Sequence, residues 1–312
     1  MFTDIANAIK NSNNIIILPH KSADGDCLGS SYALKLGLLK LGKNAQVVVE
    51  KKDKDAKFFS IIKDAETSVS TPDLVIAVDC GDIDRLDTRR DIFNSCENTV
   101  NIDHHGTNDG FAKINYIDAN ASATGEIIFD LLEFMQIDID DDIAQNLYIA
   151  ISSDSGRFSY SNTTKKTHEI AGKLIGYNID FPYLNAFIFD KNSKKELLLA
   201  KEAIKTLDVV ADGKIASVTV TKKVIKKYKA TDSELGGIVN YPRSIDTVQI
   251  AFYFKEVHGG VKVSMRSTGP DVSKIAKKYG GGGHERASGC TLNMPVKKAK
   301  KIMYNEAMAV IC

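Results

Sequence analysis

The feature that most constrains this 312-residue chain is a unit repeated through its first half: a short apolar run, a polar or charged residue at its end, then a helical stretch. The runs are Ile15–Leu18 (IIIL), Gln46–Val49 (QVVV), Leu74–Val78 (LVIAV) and Thr99–Ile102 (TVNI). Short apolar runs of this kind suit strands buried on both faces, as in a parallel sheet covered by helices. The expected N-terminal architecture is therefore α/β, a mostly parallel sheet flanked by helices. Ligands of such sheets gather beyond the carboxyl ends of the strands, where loops and helix N-termini converge. His20, Asp79 and Asp103 all stand just after apolar runs.

The pattern then changes. Apolar residues at helical spacing (Ile127, Ile128, Leu131, Leu132, then Ile143, Leu147, Ile151) predict two helices between Ser122 and Ile151, the second closed by Asp154. A further helix is expected from Lys165 to Tyr177, and the charged segment Asp190–Asp208 reads as a connecting helix. Beyond it, alternating runs at Ile215–Val220, Thr247–Phe254 and Val261–Ser267 predict strands, followed by GGGGHERASGC and an amphipathic helix near Val296–Val310. The length suits two domains. The expected layout is a catalytic domain over residues 1–187, a linker helix over 188–208 and a smaller α+β domain over 209–312, with a cleft between the domains.

HKSADGD brings His20, Asp24 and Asp26 together directly after a strand, with Gly25 letting the chain turn between the aspartates. Asp79 ends a strong apolar run, where a carboxylate must either face the ligand edge or be neutralised in the core. NIDHHG places Asp103, His104 and His105 after the next run, and Asp154 adds a carboxylate at a helix end. His20, Asp24, Asp26, Asp79, His104 and Asp154 make a set of four carboxylates and two imidazoles. Without a thiolate, that set suits Mn²⁺ or Mg²⁺ over structural zinc, and the imidazoles favour manganese. Two such ions can activate water for phosphate-ester hydrolysis. Cys80, beside Asp79, reads as a packing residue.

In the second half, Arg266 ends a strand and can grip a phosphate with its planar fork. With Ser267, the run Gly281, Gly282 and Gly283 with its backbone N–H groups, and the donors of His284, Arg286 and Ser288, it forms a candidate phosphate clamp. Phe158, Tyr160 and Tyr241 are candidate base-stacking residues, although core packing is the commoner role for any one of them.

Charge bounds the ligand. Forty-one basic against forty acidic residues leave a formal charge of +1, a poor footprint for long duplex nucleic acid and a better match to small anionic substrates. The basic runs Lys222–Lys229 and Lys297–Lys301 read as solvated helix faces. Five cysteines without CxxC spacing suggest no disulfide framework, and neither a secretory leader nor a membrane span is visible, so a cytoplasmic, non-membrane protein is expected.

In order and content, HKSADGD, LVIAVDCGD, NIDHHG and ISSDSG resemble the DHH phosphoesterase family, and SMRS with GGGGHERASGC resembles the signature of its DHH-associated C-terminal domain. The resemblance covers nearly the whole chain and is nearest to the bacterial nanoRNase subfamily, oligoribonucleases that also dephosphorylate 3′-phosphoadenosine 5′-phosphate. It implies one metal ion held by His20, Asp24 and Asp79 and another by Asp26, Asp79, His104 and Asp154, with Asp79 as the bridge. It also implies that His105 lies near the scissile phosphate, that Asp103 orients its histidine neighbours, and that the chain forms a homodimer. One departure is Asp154-Ser155-Gly156 where the subfamily commonly shows Asp-Thr-Gly; the hydroxyl is kept.

The expected substrates are short single-stranded RNA or dinucleotides and phosphorylated adenosine nucleotides. A cyclic or linear dinucleotide phosphodiesterase is the alternative with the same metal motifs; the GGGGH segment argues against an inorganic pyrophosphatase, and the chain length and the lack of a strongly basic balance argue against a single-strand exonuclease. A nucleotide-binding regulator without turnover is an alternative of another class.

Overall fold

The computed structural model describes residues 2–50 and 71–311. Contacts divide the chain into two units, Met1–Lys191 and Asn192–Cys312.

In the first unit the helices are α1 (Phe2–Lys10), α2 (Gly25–Lys40), α3 (Arg90–Ser95), α4 (Thr124–Phe134), α5 (Asp141–Asp154), α6 (Lys165–Leu174) and α7 (Phe181–Asn185). The strands are β1 (Asn14–Pro19), β2 (Asn44–Val47), β3 (Leu74–Val78), β4 (Thr99–Asp103) and β5 (Ile114–Ile117), all parallel in the order β2-β1-β3-β4-β5. Alternate side chains feed two cores. Ile15, Ile17, Leu74, Ile76 and Val78 join α2, α4 and α5 on one face, while Ile16, Leu18, Val75 and Ala77 meet Leu86 and Phe93 on the other. Cys80 is buried in that second cluster.

This strand order reverses direction between β1 and β3. The chain leaves those neighbouring strands toward opposite sides of the sheet, so a crevice opens at their carboxyl ends. His20 follows β1 and Asp79 follows β3, so both stand at the crevice. The helices that floor it are tightly apposed: a Cβ at Gly29 of α2 would run into the Asn146 carbonyl and Ala150 of α5. Only glycine allows that approach.

The second unit holds α8 (Lys194–Ile204), α9 (Lys222–Tyr228), α10 (Asp232–Leu235), α11 (Asn240–Arg243), α12 (Val272–Lys278) and α13 (Val296–Met308). Its strands are β6 (Asp208–Val210), β7 (Ile215–Val220), β8 (Ile250–Val257), β9 (Gly260–Ser267), β10 (Gly282–His284) and β11 (Ala287–Leu292), in the order β10-β11-β9-β8-β7-β6. Only β7 and β8 pair in parallel. Phe252, Phe254, Val263 and Met265 face Ile275, Ala299 and Met303 of α12 and α13. On the other face Val218, Val220 and Tyr253 meet Leu199 and Ala203. The connecting helix of the sequence is thus α8, whose apolar side is part of this unit's core.

Most runs form strands where the periodicity places them, with three differences. The second run pairs as Asn44–Val47, two residues early. The strand expected at Thr247 begins at Ile250, because Val248 N–H closes a turn onto the Ile245 carbonyl. The strands β5 and β6, whose residues are largely half-buried, lack the continuous apolar run that marked the others. Among the described residues no helix is long and apolar enough to cross a membrane.

Candidate metal centre

The loop expected from His20 to Asp26 is shorter than the sequence suggested. Gly25 already opens α2, with Asp24 as its N-cap accepting from Cys27 N–H at 3.1 Å, so Asp26 sits in the first helical turn, fully buried. Three donors hold its carboxylate. Thr124 N–H at 2.7 Å and Gly125 N–H at 3.0 Å come from the start of α4, and Ser30 Oγ donates at 2.9 Å. A helix N-terminus presents such N–H groups without internal partners, and its dipole favours the negative charge.

Asp79 leaves β3 with φ +59°, in the left-handed region, where an aspartate is tolerated better than most residues. Its two oxygens face different neighbours. Oδ2 lies 3.5 Å from His20 Nε2, and Oδ1 lies 3.6 Å from His104 Nε2 and accepts from Thr124 Oγ1 at 2.9 Å. His20 Nε2 is also 3.8 Å from Asp24 Oδ2, and His104 Nε2 is 3.5 Å from Asp154 Oδ2 and 3.9 Å from Asp26 Oδ2. Those separations are too long for strong hydrogen bonds. Donors about 2.1 Å from one octahedral ion sit about 3 Å apart when adjacent and about 4 Å apart when opposite, so the observed spacings suit shared ions.

The imidazoles are oriented for that role. His20 Nδ1 lies 2.8 Å from the Lys21 carbonyl and His104 Nδ1 3.2 Å from the Ala121 carbonyl. A carbonyl only accepts, so each Nδ1 carries a proton and Nε2 is the atom turned to the carboxylates, where a cation would take the place of its proton. His105 Nδ1 is 2.7 Å from Asp103 Oδ1, whose partner oxygen accepts from Asn108 Nδ2 at 2.6 Å. His105 Nδ1 also stands 3.6 Å from Asp79 Oδ1.

The charge balance tests whether cations fit. Burial, reinforced by the Asp79 charge, holds the Asp26 carboxyl well above the usual aspartate range. Burial likewise lifts Asp154 to about 7 against the attraction of His104. Burial would lower His104, but Asp79, Asp26 and Asp154 carry it to about 9. Four aspartates confront two imidazoles, with Asp26 and Asp79 buried, Asp154 half-buried and Asp24 exposed at the rim, an excess of negative charge that divalent cations would neutralise. Cys27 lies within ligand distance of His20 and Asp79. Its thiol is pushed by burial to about 12, accepts from His20 N–H at 3.0 Å and donates to the Val78 carbonyl, so no thiolate is offered. The donor set is hard oxygen and imidazole nitrogen, which fits Mn²⁺ or Mg²⁺.

All six predicted ligands, with Asp103 and His105, therefore converge. Ser30, Thr124, Gly125 and Asn108, which hold the carboxylates, were not singled out by the sequence. The run Ser122-Ala123-Thr124-Gly125 ahead of an apolar helix was the available signal.

In the second unit the pairing of β9, β11 and β10 puts Arg266, Ala287 and His284 in one row, so they share a sheet face. Small Ala287 separates the two basic side chains. The expected glycine loop is instead the edge strand β10, with Glu285 and Arg286 as its turn. Gly281 N–H donates to the Ala276 carbonyl, and a Cβ on Gly281 or Gly283 would strike the β11 backbone. Gly281 and Gly283 are thus required for close strand approach, while beside Gly282 the space is open. The Ser267 hydroxyl donates to the Pro270 carbonyl and Ser288 to the His284 carbonyl. Of the aromatic candidates, Phe158 stacks on His168 with centroids 5.2 Å apart, while Tyr160 and Tyr241 are exposed.

A parallel sheet delivering aspartates and histidines to the crevice at its reversal point defines an α/β protein with an acidic, metal-competent centre. The profile of the DHH family, N-terminal domain, matches residues 14–151, and that of the DHHA1 domain matches residues 212–306. The probable bifunctional oligoribonuclease and PAP phosphatase NrnA of Streptococcus mutans is 33% identical over 290 residues, 92% of each chain. The Bacillus subtilis protein named bifunctional oligoribonuclease and PAP phosphatase NrnA is 28% identical over 299 residues, 94% of this chain and 93% of that one. Among solved structures, an exopolyphosphatase-related protein from Bacteroides fragilis shares the fold, with a TM-score of 0.84, 24% identity and coverage of 97% and 94%. The chain belongs to the DHH family and is a phosphoesterase.

Proposed function

We propose that this protein hydrolyses short oligoribonucleotides to 5′-mononucleotides and converts 3′-phosphoadenosine 5′-phosphate to AMP, using two divalent cations, Mn²⁺ in preference to Mg²⁺. The observation that carries the reading is Asp79, which turns one oxygen to His20 and the other to His104. Asp79 with His20 and Asp24 would hold one ion; Asp79 with Asp26, His104 and Asp154 would hold the other. The relatives' names supply the substrate classes.

A pair of divalent ions would lower the pKa of a water molecule and counter the charge that develops on the phosphate oxygens. The side chains provide the frame. Thr124, Gly125 and Ser30 fix Asp79 and Asp26, and the two backbone carbonyls fix the imidazole tautomers. Asp103 holds His105 through Nδ1. Against the effect of burial, the Asp103 and Asp79 charges raise the imidazole pKa, so that in its doubly protonated form Nε2–H would donate to a non-bridging oxygen of the reacting phosphate. Arg266 and His284, sharing a row on the second unit's sheet, would bind a phosphate of the substrate.

A substrate panel with Mn²⁺ tests this. It comprises RNA of two to about ten nucleotides, 3′-phosphoadenosine 5′-phosphate, a cyclic dinucleotide and pyrophosphate. The expected result is mononucleotide release that is fastest on the shortest RNAs, with AMP from the bisphosphate. No release from any short RNA or dinucleotide by metal-loaded protein overturns the reading. Turnover confined to the cyclic dinucleotide would replace it with the dinucleotide phosphodiesterase alternative.

A further inference from the structure

The sheet face that carries Arg266 continues along β9 to a second cluster. Directly opposed pairs on β8 and β9, Tyr253 with Ser264 and Lys255 with Lys262, join Asp232 and Gly236 around a cavity of about 90 Å³. That is room for about three water molecules, or one phosphate group. Tyr253 is 5% exposed, yet its hydroxyl has no hydrogen-bond partner among the described residues. Buried hydroxyls are seldom left so.

Charge at the cavity is lopsided. Lys255 is 8% exposed, and its ammonium lies 2.8 Å from Oδ1 of Asp232, whose side chain is 75% exposed. The hydrogen bond from Lys255 and the charge of Lys262 together hold the Asp232 carboxyl below the usual range. Two ammonium groups face one carboxylate. Each ammonium has three donors, the Tyr253 and Ser264 hydroxyls can donate or accept, and Asp232 only accepts. Leu235 adds an apolar wall, and the polar side of the lining has more donors than its one carboxylate can use. A tetrahedral oxyanion is the complement of such a lining.

We propose that this cavity is an anion subsite, separate from the metal centre and from Arg266, which takes a single phosphate group against Lys255, Lys262, Tyr253 and Ser264. Asp232, whose side chain is 75% exposed, is the internal anion that holds Lys255 and that phosphate would displace toward solvent. Ser264 precedes Arg266 by two residues on one strand face, a step of about 7 Å. The phosphate can therefore be free inorganic phosphate or one belonging to a nucleotide chain that also meets Arg266.

Calorimetric titration of inorganic phosphate into the full chain, metal-loaded and chelator-treated, tests the subsite without reference to turnover. Binding is expected in both states, weakened about tenfold or more by Lys255→Met and about threefold by the isosteric Tyr253→Phe. Asp232→Asn should tighten it, and Arg266→Ala should leave it in place. Absence of phosphate binding to the chelator-treated protein, or equal binding by wild type, Lys255→Met and Tyr253→Phe, overturns the proposal and leaves a water-filled cavity.

The source of the phosphate is separated by kinetics on dinucleotides with a 5′-phosphate or a 5′-hydroxyl. A KM raised by Lys255→Met only for the phosphorylated form, with kcat unchanged, assigns the subsite to the nucleotide. Unchanged KM for both, beside lost phosphate binding, assigns it to free phosphate. The titration stands even if the proposed oligoribonuclease reading fails.

Discussion

Thr124 donates its hydroxyl proton to Oδ1 of Asp79 at 2.9 Å, while its backbone N–H donates to Oδ2 of Asp26 at 2.7 Å. One residue at the start of α4 thus ties together two carboxylates that come from different strand-to-helix junctions. Thr124→Val keeps the shape and the N–H but removes the hydroxyl. Losing a hydrogen bond to a buried carboxylate costs about 1.5 to 3 kcal/mol. The expected outcome is metal affinity lowered by at least about tenfold, measured by Mn²⁺ titration, with Thr124→Ser restoring it.

Asp79→Asn separates function from stability. It preserves size and backbone preference while removing one buried negative charge that raises its neighbour Asp26. Turnover should fall to background. The chelator-treated variant should melt at or above the wild-type temperature, because less like charge is confined in the crevice. A lower melting temperature in chelator would contradict the account of excess negative charge.

Metal removal from the wild type should destabilise it. An ion present at about 100 times its Kd adds about 2.7 kcal/mol to folding. Thermal melts with chelator, then with Mn²⁺ or Mg²⁺ restored, should show a rise on re-addition, larger for Mn²⁺. That rise should be absent in Asp79→Asn.

Arg266→Ala should act on substrate binding. The side chain lies in a row with His284 on the second unit's sheet, whereas the proposed ligands all belong to the first unit. KM should rise by about tenfold or more, with kcat within a few-fold of wild type. A fall in kcat alone would remove Arg266 from the clamp.

The helix that carries Asp154 depends on its cap. Asp140 accepts from Ile143 N–H at 3.0 Å and pairs with Lys40 at 2.7 Å. Its modest burial opposes ionisation, but the hydrogen bonds from Lys40 and Ile143 hold its carboxyl below the usual value of 3.8. A carboxyl depressed in the folded state stabilises above its unfolded pKa and loses that contribution as pH falls through the folded value. Asp140→Ala should therefore cost about 1 kcal/mol at neutral pH. Denaturant titrations should show the difference shrinking once the pH drops below 3.8.

The first sheet was legible because its central strands are buried on both faces, and their residues read as unbroken apolar runs that end at the chemistry. Asp79 and Asp103 were visible for the same reason: a carboxylate ending such a run needs a purpose. The residues that steady the carboxylates were not legible. Thr124 and Gly125 are ordinary helix residues until α4 and α2 are brought together, and that meeting joins positions about a hundred residues apart, whereas Ser30 reaches Asp26 within α2 and is hidden only because a helical serine carries no signal of its own. The packing role of Gly281 and Gly283 was not legible either, because a glycine run has the same appearance whether it admits an anion, a neighbouring strand or both. The β11 backbone occupies the space beside Gly281 and Gly283.

The left-handed backbone at Asp79 gives a way to recognise relatives that have lost catalysis. Asparagine and glycine adopt φ near +59° at least as readily as aspartate. A chain carrying either residue there would keep the turn after β3 and the surrounding fold while losing the carboxylate proposed to join the two ions. Activity can therefore drift away at this one position without any selective signal from folding, and inactive paralogues should be sought by reading that residue first.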